Sequence, residues 1–318
     1  MKIRTLVVTA SLVASGGLVA FGGSAQAALY TTCVGDGGAV TVTNDLVVPA
    51  GKSCTLTGTK VRGEVRVEAG ADLVATGATF NGAVDVAANG YLDLTDTTVK
   101  GALHAESAFG THLLNTSVKT GTTATGGFLY AVDATLGGAV KATSGELYVS
   151  GSTLSGSLTG DSNLYTDVYD TTVRGALTVS GNSLGGVLCA SEVEGATVYR
   201  NNAEALQLGA DGPLSSCAGA TYLGSTLAVT DNTADAVLDN AIVRGALTAT
   251  GNTPVLKVGE LARVRGAVTG DTAPAASASA ARRAAPAPQD RGDDLARKAA
   301  ERLATARADA GAAGDSGL

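Results

Sequence analysis

The sequence predicts an all-β chain wound as a parallel β-helix, and three observations predict it. The first is a phrase, Val-Arg-Gly-Ala-Leu-Thr at 173–178 and again at 243–248, whose glycine recurs at Gly63, Gly82, Gly101, Gly138, Gly156, Gly175, Gly195, Gly245 and Gly266. Most steps are 18 to 21 residues; a slipped copy at Lys119–Gly121 fills one long gap, and the 50 residues from Gly195 to Gly245 hold two coils, one enlarged, with a copy near Gly224. A fixed short period marks a solenoid, because each unit buries its apolar face only by stacking on its neighbours. The second observation is alternation around each glycine, the period-2 signature of a strand with one buried face. The third is that four cysteines fall near equivalent positions of adjacent coils.

The elements follow in chain order. Lys2 and Arg4 precede an apolar stretch from Leu6 to Phe21, and Ala25-Gln26-Ala27 offers small residues for cleavage, so residues 1–27 read as a secretory signal peptide. No other run approaches the about 20 apolar residues a spanning helix requires, so the chain is expected to be secreted or held at the cell surface without crossing the membrane. Residues 28–270 are the solenoid, about ten coils of 18–21 residues. One inward column is Val61, Phe80, Val99, Val118, Leu136, Leu154, Val173, Val193, Val243 and Val264. A second holds Val65, Val84, Leu103, Val140, Leu158, Leu177, Leu247 and Val268. By parity the glycine between them faces inward. A second, shorter strand follows, as in Leu92-Asp93-Leu94 and Leu147-Tyr148-Val149. Asp96, Asn115, Asp133 and Asp170 recur just before the phrase, where their side chains can bond nearby backbone N–H groups in a tight turn. A period drifting between 18 and 21 disfavours a strict hexapeptide left-handed helix and favours the right-handed form, the usual hand of parallel crossovers.

Stacked strands place equivalent Cα atoms about 5 Å apart, within disulfide reach. Cys189 and Cys217 are expected to brace the enlarged coil, and Cys33 with Cys54 to clip the N-terminal coils. The long spacings, with His104 and His112 the sole histidines, speak against a metal site, and no cofactor motif is present. After Gly270 the composition changes: 271–289 is an Ala/Pro-rich linker, and 290–318 is a charged tail, disordered or partly helical, in which Leu295 and Leu303 are the large apolar residues. Arg291-Gly292-Asp293 in that tail is read as a chance tripeptide.

Composition constrains function. Aromatic residues are 4 % and Trp is absent, as suits a narrow coil filled with Val, Leu and Ala. Net charge is −7, and losing Lys2 and Arg4 makes −7 − 2 = −9, which argues against a nucleic-acid partner. Three outward columns carry polar side chains. Asp93, His112, Tyr148 and Asp167 read as a solvated polar stripe. Arg62, Lys100, Lys119, Arg174, Arg244 and Arg265 read as cations fanned into water or paired with acids alongside, the functional alternative being a strip for an anionic cell-wall polymer. Thr79, Thr98, Ser117, Thr135, Thr153 and Thr172 read as ordinary strand hydroxyls.

On the motif Val-x-Gly-[Ala/Glu]-[Val/Leu]-x-Val, seen at 61–67 and 173–179, residues 33–270 resemble exported bacterial right-handed β-helix repeat proteins. In texture the chain is also similar to the bactofilins, β-helices that polymerise end to end. Neither resemblance implies a catalytic residue. The expectation is therefore an exported non-enzymatic β-solenoid with a structural or surface and cell-wall interaction role. Its partner would be a cell-wall or extracellular polymer, or a copy of itself. The alternatives are a polysaccharide-active lyase or hydrolase and a self-assembling filament subunit.

Overall fold

The computed structural model describes residues 30–209, 211–276 and 291–318. The expected signal peptide, residues 277–289 of the expected linker and residue 290 of the expected tail lie outside them. Each coil contributes one strand to each of three parallel sheets, which we call A, B and C, with 13, 13 and 12 strands. Successive strands pair in an unbroken register: Val65, Val84 and Leu103 in sheet A, Asp72, Tyr91 and Gly110 in sheet B, Thr79, Thr98 and Ser117 in sheet C. The parallel β-helix is therefore as expected, but it has about 13 turns rather than ten. The first coils escaped the count because Val42-Thr43-Asn44 stands where later coils have Val-x-Gly. The last strand, Thr272–Pro274, pairs with Leu256–Val258, so the stack runs past residue 270 into what composition marked as linker. Thirteen strands make 12 steps of about 4.8 Å, a rod of roughly 58 Å.

The inward columns are the core. Val61, Phe80, Val99, Val118, Leu136, Leu154, Val173, Val193 and Val243 are all 0 % exposed, whereas Val268 in the last coils is 54 % exposed. Deletion of one buried side chain leaves a void between two coils that cannot collapse along the axis without breaking the ladder.

Two corners of each coil turn through a left-handed residue. Asp96, Asn115, Asp133 and Asp170 have φ of 51°, 48°, 52° and 44°, and Gly58, Gly77 and Gly151 take the same place in other coils. Asp, Asn and Gly are chosen there because they tolerate φ > 0 at little steric penalty. The third corner is the phrase glycine, and its role differs from the expectation. It does not face inward: a Cβ on Gly101 would meet the carbonyl carbon of Gly82 at 2.4 Å, and one on Gly175 would meet that of Gly156 at 2.6 Å. Backbones of successive coils touch along this corner, and only hydrogen fits between them.

A buried asparagine ladder braces the other left-handed corner, just after Ser162, Gly181, Asn201, Asp231 and Gly251, in five consecutive coils. The backbone N–H groups of Asn163, Asn182, Asn202 and Asn232 donate to the Oδ1 of the asparagine one coil on, at 3.1, 3.0, 2.9 and 3.1 Å. The side-chain amides of Asn202, Asn232 and Asn252 donate to the carbonyls of Val179, Tyr199 and Val229. Each ring of the ladder thus satisfies groups that no strand partner reaches.

Both disulfides are present. Cys33–Cys54 links the first coils with a Cα separation of 5.7 Å, and Cys189–Cys217 spans 5.6 Å. Cys217 lies in the loop of the enlarged coil rather than in a strand, so this bond pins the loop to the end of the Gly186–Cys189 strand of sheet B.

Candidate functional site: the strapped face of sheet B

The tail forms one 23-residue helix, α1 (Arg291–Ala313), and it lies along the outer face of sheet B. At 1.5 Å per residue α1 is about 34 Å long. Seven strand steps, from Gly35–Gly37 to Tyr165–Tyr169, also span about 34 Å. The helix therefore runs back over the first eight turns. Beyond it, the Asp36 N–H donates to the Gly314 carbonyl at 2.8 Å and the Ser316 N–H to the Asp36 carbonyl at 3.0 Å. The chain end thus pairs with the outer edge of sheet B, and Leu318 packs against the core.

The buried side of α1 is Gly292, Leu295, Ala299, Ala306 and Ala310, steps of three, four and seven that keep one face of a helix. That face is mostly small because the sheet supplies the bulk. Seven of the chain's 12 aromatic rings (eight Tyr and four Phe) stand on or beside this face: Tyr91, Phe109, Phe128, Tyr130, Tyr148, Tyr165 and Tyr169. Phe109 packs edge-on to both Tyr91 and Phe128, with centroids 6.0 and 5.7 Å apart. A Cβ on Gly292 would meet the Tyr148 ring at 2.7 Å, so the helix start can descend onto the ring only as glycine.

Between the rings run the carboxylates. The strand register stacks Asp72, Tyr91, Gly110, Phe128, Glu146 and Tyr165 in one column. Two residues along, it stacks Asp93, His112, Tyr130, Tyr148 and Asp167. Three cations of α1 meet the acids. Nε and Nη2 of Arg302 donate to Asp72 Oδ1 at 3.0 and 2.8 Å, and Lys298 Nζ donates to both Glu146 oxygens at 2.6 and 2.9 Å. Arg291 donates to Asp167 Oδ1 at 3.3 Å while its guanidinium lies 4.7 Å over the Tyr165 ring. The fourth acid is served from the sheet: Asp93 Oδ2 accepts from Tyr91 Oη at 2.7 Å and sits 2.9 Å from His112 Nδ1. Burial, reinforced by Asp93, pushes the Tyr91 hydroxyl far up, and burial with the Glu146 bond does the same to Tyr165, so both remain donors. Burial also raises the Asp72 carboxyl, against the pull of Arg302.

The polar stripe expected at Asp93, His112, Tyr148 and Asp167 is therefore corrected: Asp93 and Asp167 are buried at 2 % and 0 % exposure. Nor is the tail free. A helix was among the expectations for the tail, but its docking on sheet B was hidden from sequence reasoning because the interface uses alanine and glycine rather than large apolar residues. The four-residue recurrence of Leu295, Ala299, Leu303 was its one signal. The Arg-Gly-Asp tripeptide is also placed, with Arg291 bonded and Gly292 buried against the sheet.

A recess of about 380 Å³ lies in later coils than those α1 covers, lined by Leu206, Gln207, Val237, Asp235 and Lys257 and walled by the enlarged loop. Lys257 pairs with Asp235 at 2.7 Å, and Gln207 holds the loop by accepting from the Leu214 N–H and donating to the Ser215 carbonyl. Among the described residues no group of three or more His, Cys, Asp or Glu is placed to hold a metal ion, and no helix is long and apolar enough to cross a membrane. Compared with known protein families, curated proteins and solved structures, the chain matches none. The likeness to parallel β-helices thus rests on its own coordinates.

Proposed function

We propose that the chain is an exported, non-enzymatic β-solenoid, a rod sealed by its own tail that serves a structural or surface-interaction role. One observation carries this reading: among the described residues, α1 fills the face of sheet B on which acids and aromatic rings converge. A glycan-cleaving β-helix needs a groove in which carboxylates and ring platforms meet a sugar. Sheet B has both residue types, yet Arg302, Lys298 and Arg291 occupy Asp72, Glu146 and Asp167. Two disulfides support an oxidising, extracellular setting. Pairing of the chain end with the edge strand of sheet B speaks for a discrete rod over a filament joined end to end.

The test is to incubate the full oxidised chain with a panel of neutral and acidic polysaccharides, reading reducing ends and unsaturated products. No release is expected, and sedimentation is expected to show a species independent of concentration. Sugar release overturns the non-enzymatic reading, and concentration-dependent fibres overturn the discrete rod.

A further inference from the structure

The cations of the solenoid are unevenly placed. Sheet C presents two outward columns in register: the residue just before the inward apolar side chain of each strand, and the residue just after it, whose N–H continues the ladder from coil to coil (Lys100 to Phe80, Lys119 to Val99, Arg174 to Leu154, Arg244 to Leu223). Of the 13 Lys and Arg between residues 30 and 276, eight stand in these columns: Arg62, Lys100, Lys119, Arg174, Arg244 and Arg265, joined by Lys60 and Arg263. Their only acids are Glu192 and Glu194, so the face carries 8 − 2 = +6 in a chain whose net charge is −7. Of the two arrangements expected for these cations, fanning into water holds rather than pairing with acids alongside. Among the described residues all six named first are exposed and take part in no ion pair, whereas Arg66, Lys257, Arg291, Lys298 and Arg302 do. Asp96, Asp133 and Asp170 lie at the corner beyond the hydroxyl column.

Lys100 and Lys119 stand in consecutive coils, as do Arg244 and Arg265, about 4.8 Å apart by strand spacing. At that separation like charges repel by about 1 kcal/mol in water, a penalty that a counter-charged polymer lying along the column removes. Beside the cations run hydroxyls, with Thr79, Thr98, Thr135, Thr153 and Thr172 stacked strand on strand. On the other side the residues are Gly101-Ala102, Gly175-Ala176 and Gly245-Ala246, so nothing tall obstructs an extended chain. Tyr222 is the sole aromatic residue in the two columns, which disfavours a ligand that binds by base stacking.

The geometry points to sheet C as a docking face for a linear acidic polysaccharide, its carboxylates over the cation column and its hydroxyls exchanging hydrogen bonds with the threonines. This rests on the surface-interaction reading above and names its partner class. The test measures binding of sodium polygalacturonate to the full oxidised chain by calorimetry at 50 and 300 mM salt, with dextran and polyphosphate alongside. Binding at low salt, weakened at least tenfold at high salt, is expected, with dextran inert and polyphosphate weaker. K100Q/K119Q/R244Q/R265Q should lose at least tenfold, K141Q on sheet A should match wild type, and T98V/T135V/T153V should lose several-fold for polygalacturonate alone. The inference is overturned if polygalacturonate does not bind, if the fourfold variant binds as wild type does, or if polyphosphate binds as tightly and is equally indifferent to the threonines. Cleavage of polygalacturonate would instead strike the non-enzymatic reading, so the two failures are distinct.

Discussion

Arg302 is the most informative side chain to remove. Its guanidinium makes both bonds to Asp72 Oδ1 and lies 5.2 Å over the Phe109 ring, and Asp72 is 3 % exposed. Stripping one partner from a buried ion pair typically costs 3–5 kcal/mol. A second route gives the same size: Asp72 escapes by taking a proton, and at pH 7 protonating a carboxyl of ordinary pKa near 4 costs about 4 kcal/mol. At pH 5 the same step costs about 1.5 kcal/mol. The sign follows from Asp72 already having its folded pKa raised, chiefly by burial. Such a group favours the docked state below its unfolded pKa and loses that contribution as pH rises through the folded one. Arg302→Met should therefore loosen α1 at pH 7 and let it re-seat at pH 5. With about 3 kcal/mol lost, amide hydrogen exchange across 291–313, corrected for intrinsic rate, should lose roughly 100-fold protection at pH 7 and regain most of it at pH 5. Arg302→Met with Asp72→Asn should restore protection at both pH values. Equal protection in wild type and Arg302→Met at pH 7, or an equal loss at both pH values, would refute the reasoning.

Three further perturbations read other parts of the rod. Gly292→Leu should expose α1 to exchange while leaving the far-ultraviolet β signal intact, since its Cβ would enter the Tyr148 ring. Gly175→Val should lower the melting temperature by well over 5 °C, because the new side chain has only the backbone of Gly156 and Ser157 before it. Opening Cys189–Cys217, with a separation of 28 residues, should lower stability by about 3–4 kcal/mol on the chain-entropy estimate, read as an earlier melting transition in the paired Ser variant.

Much of the stack was legible because a solenoid writes its geometry as a period. The inward columns from Val61 to Val243, the sheet B strands at Leu92–Leu94 and Leu147–Val149, and the cysteine neighbours all follow from counting residues per coil. What counting missed is what does not repeat. The coil at Thr41–Val42 lacks the phrase, so the tally fell short. Parity put the phrase glycine inside, but parity assumes an extended strand, and at Gly101 the chain is turning a corner against Gly82. Asn182, Asn202, Asn232 and Asn252 step by 20, 30 and 20 residues, a period masked by the enlarged coil. The strapped face was hidden for another reason. Tyr91, Phe128 and Tyr165 stand at intervals of two coils and share a face with Asp72 and Glu146, so a low aromatic percentage concealed a local concentration. The partner helix binds with alanines, which no hydropathy pattern flags.

The strap changes how this molecule can come apart and come together. In an array of repeats that touch only their neighbours, fraying starts at either end and spreads. Here Gly314 and Arg291 fasten the first turn to the eighth, so the amino-terminal end cannot unzip until α1 peels away, and melting must begin at the coils around Val268. Synthesis runs the other way. The fastening residues are made after the coils they cover, so the ringed face stays open to water until α1 arrives to close it.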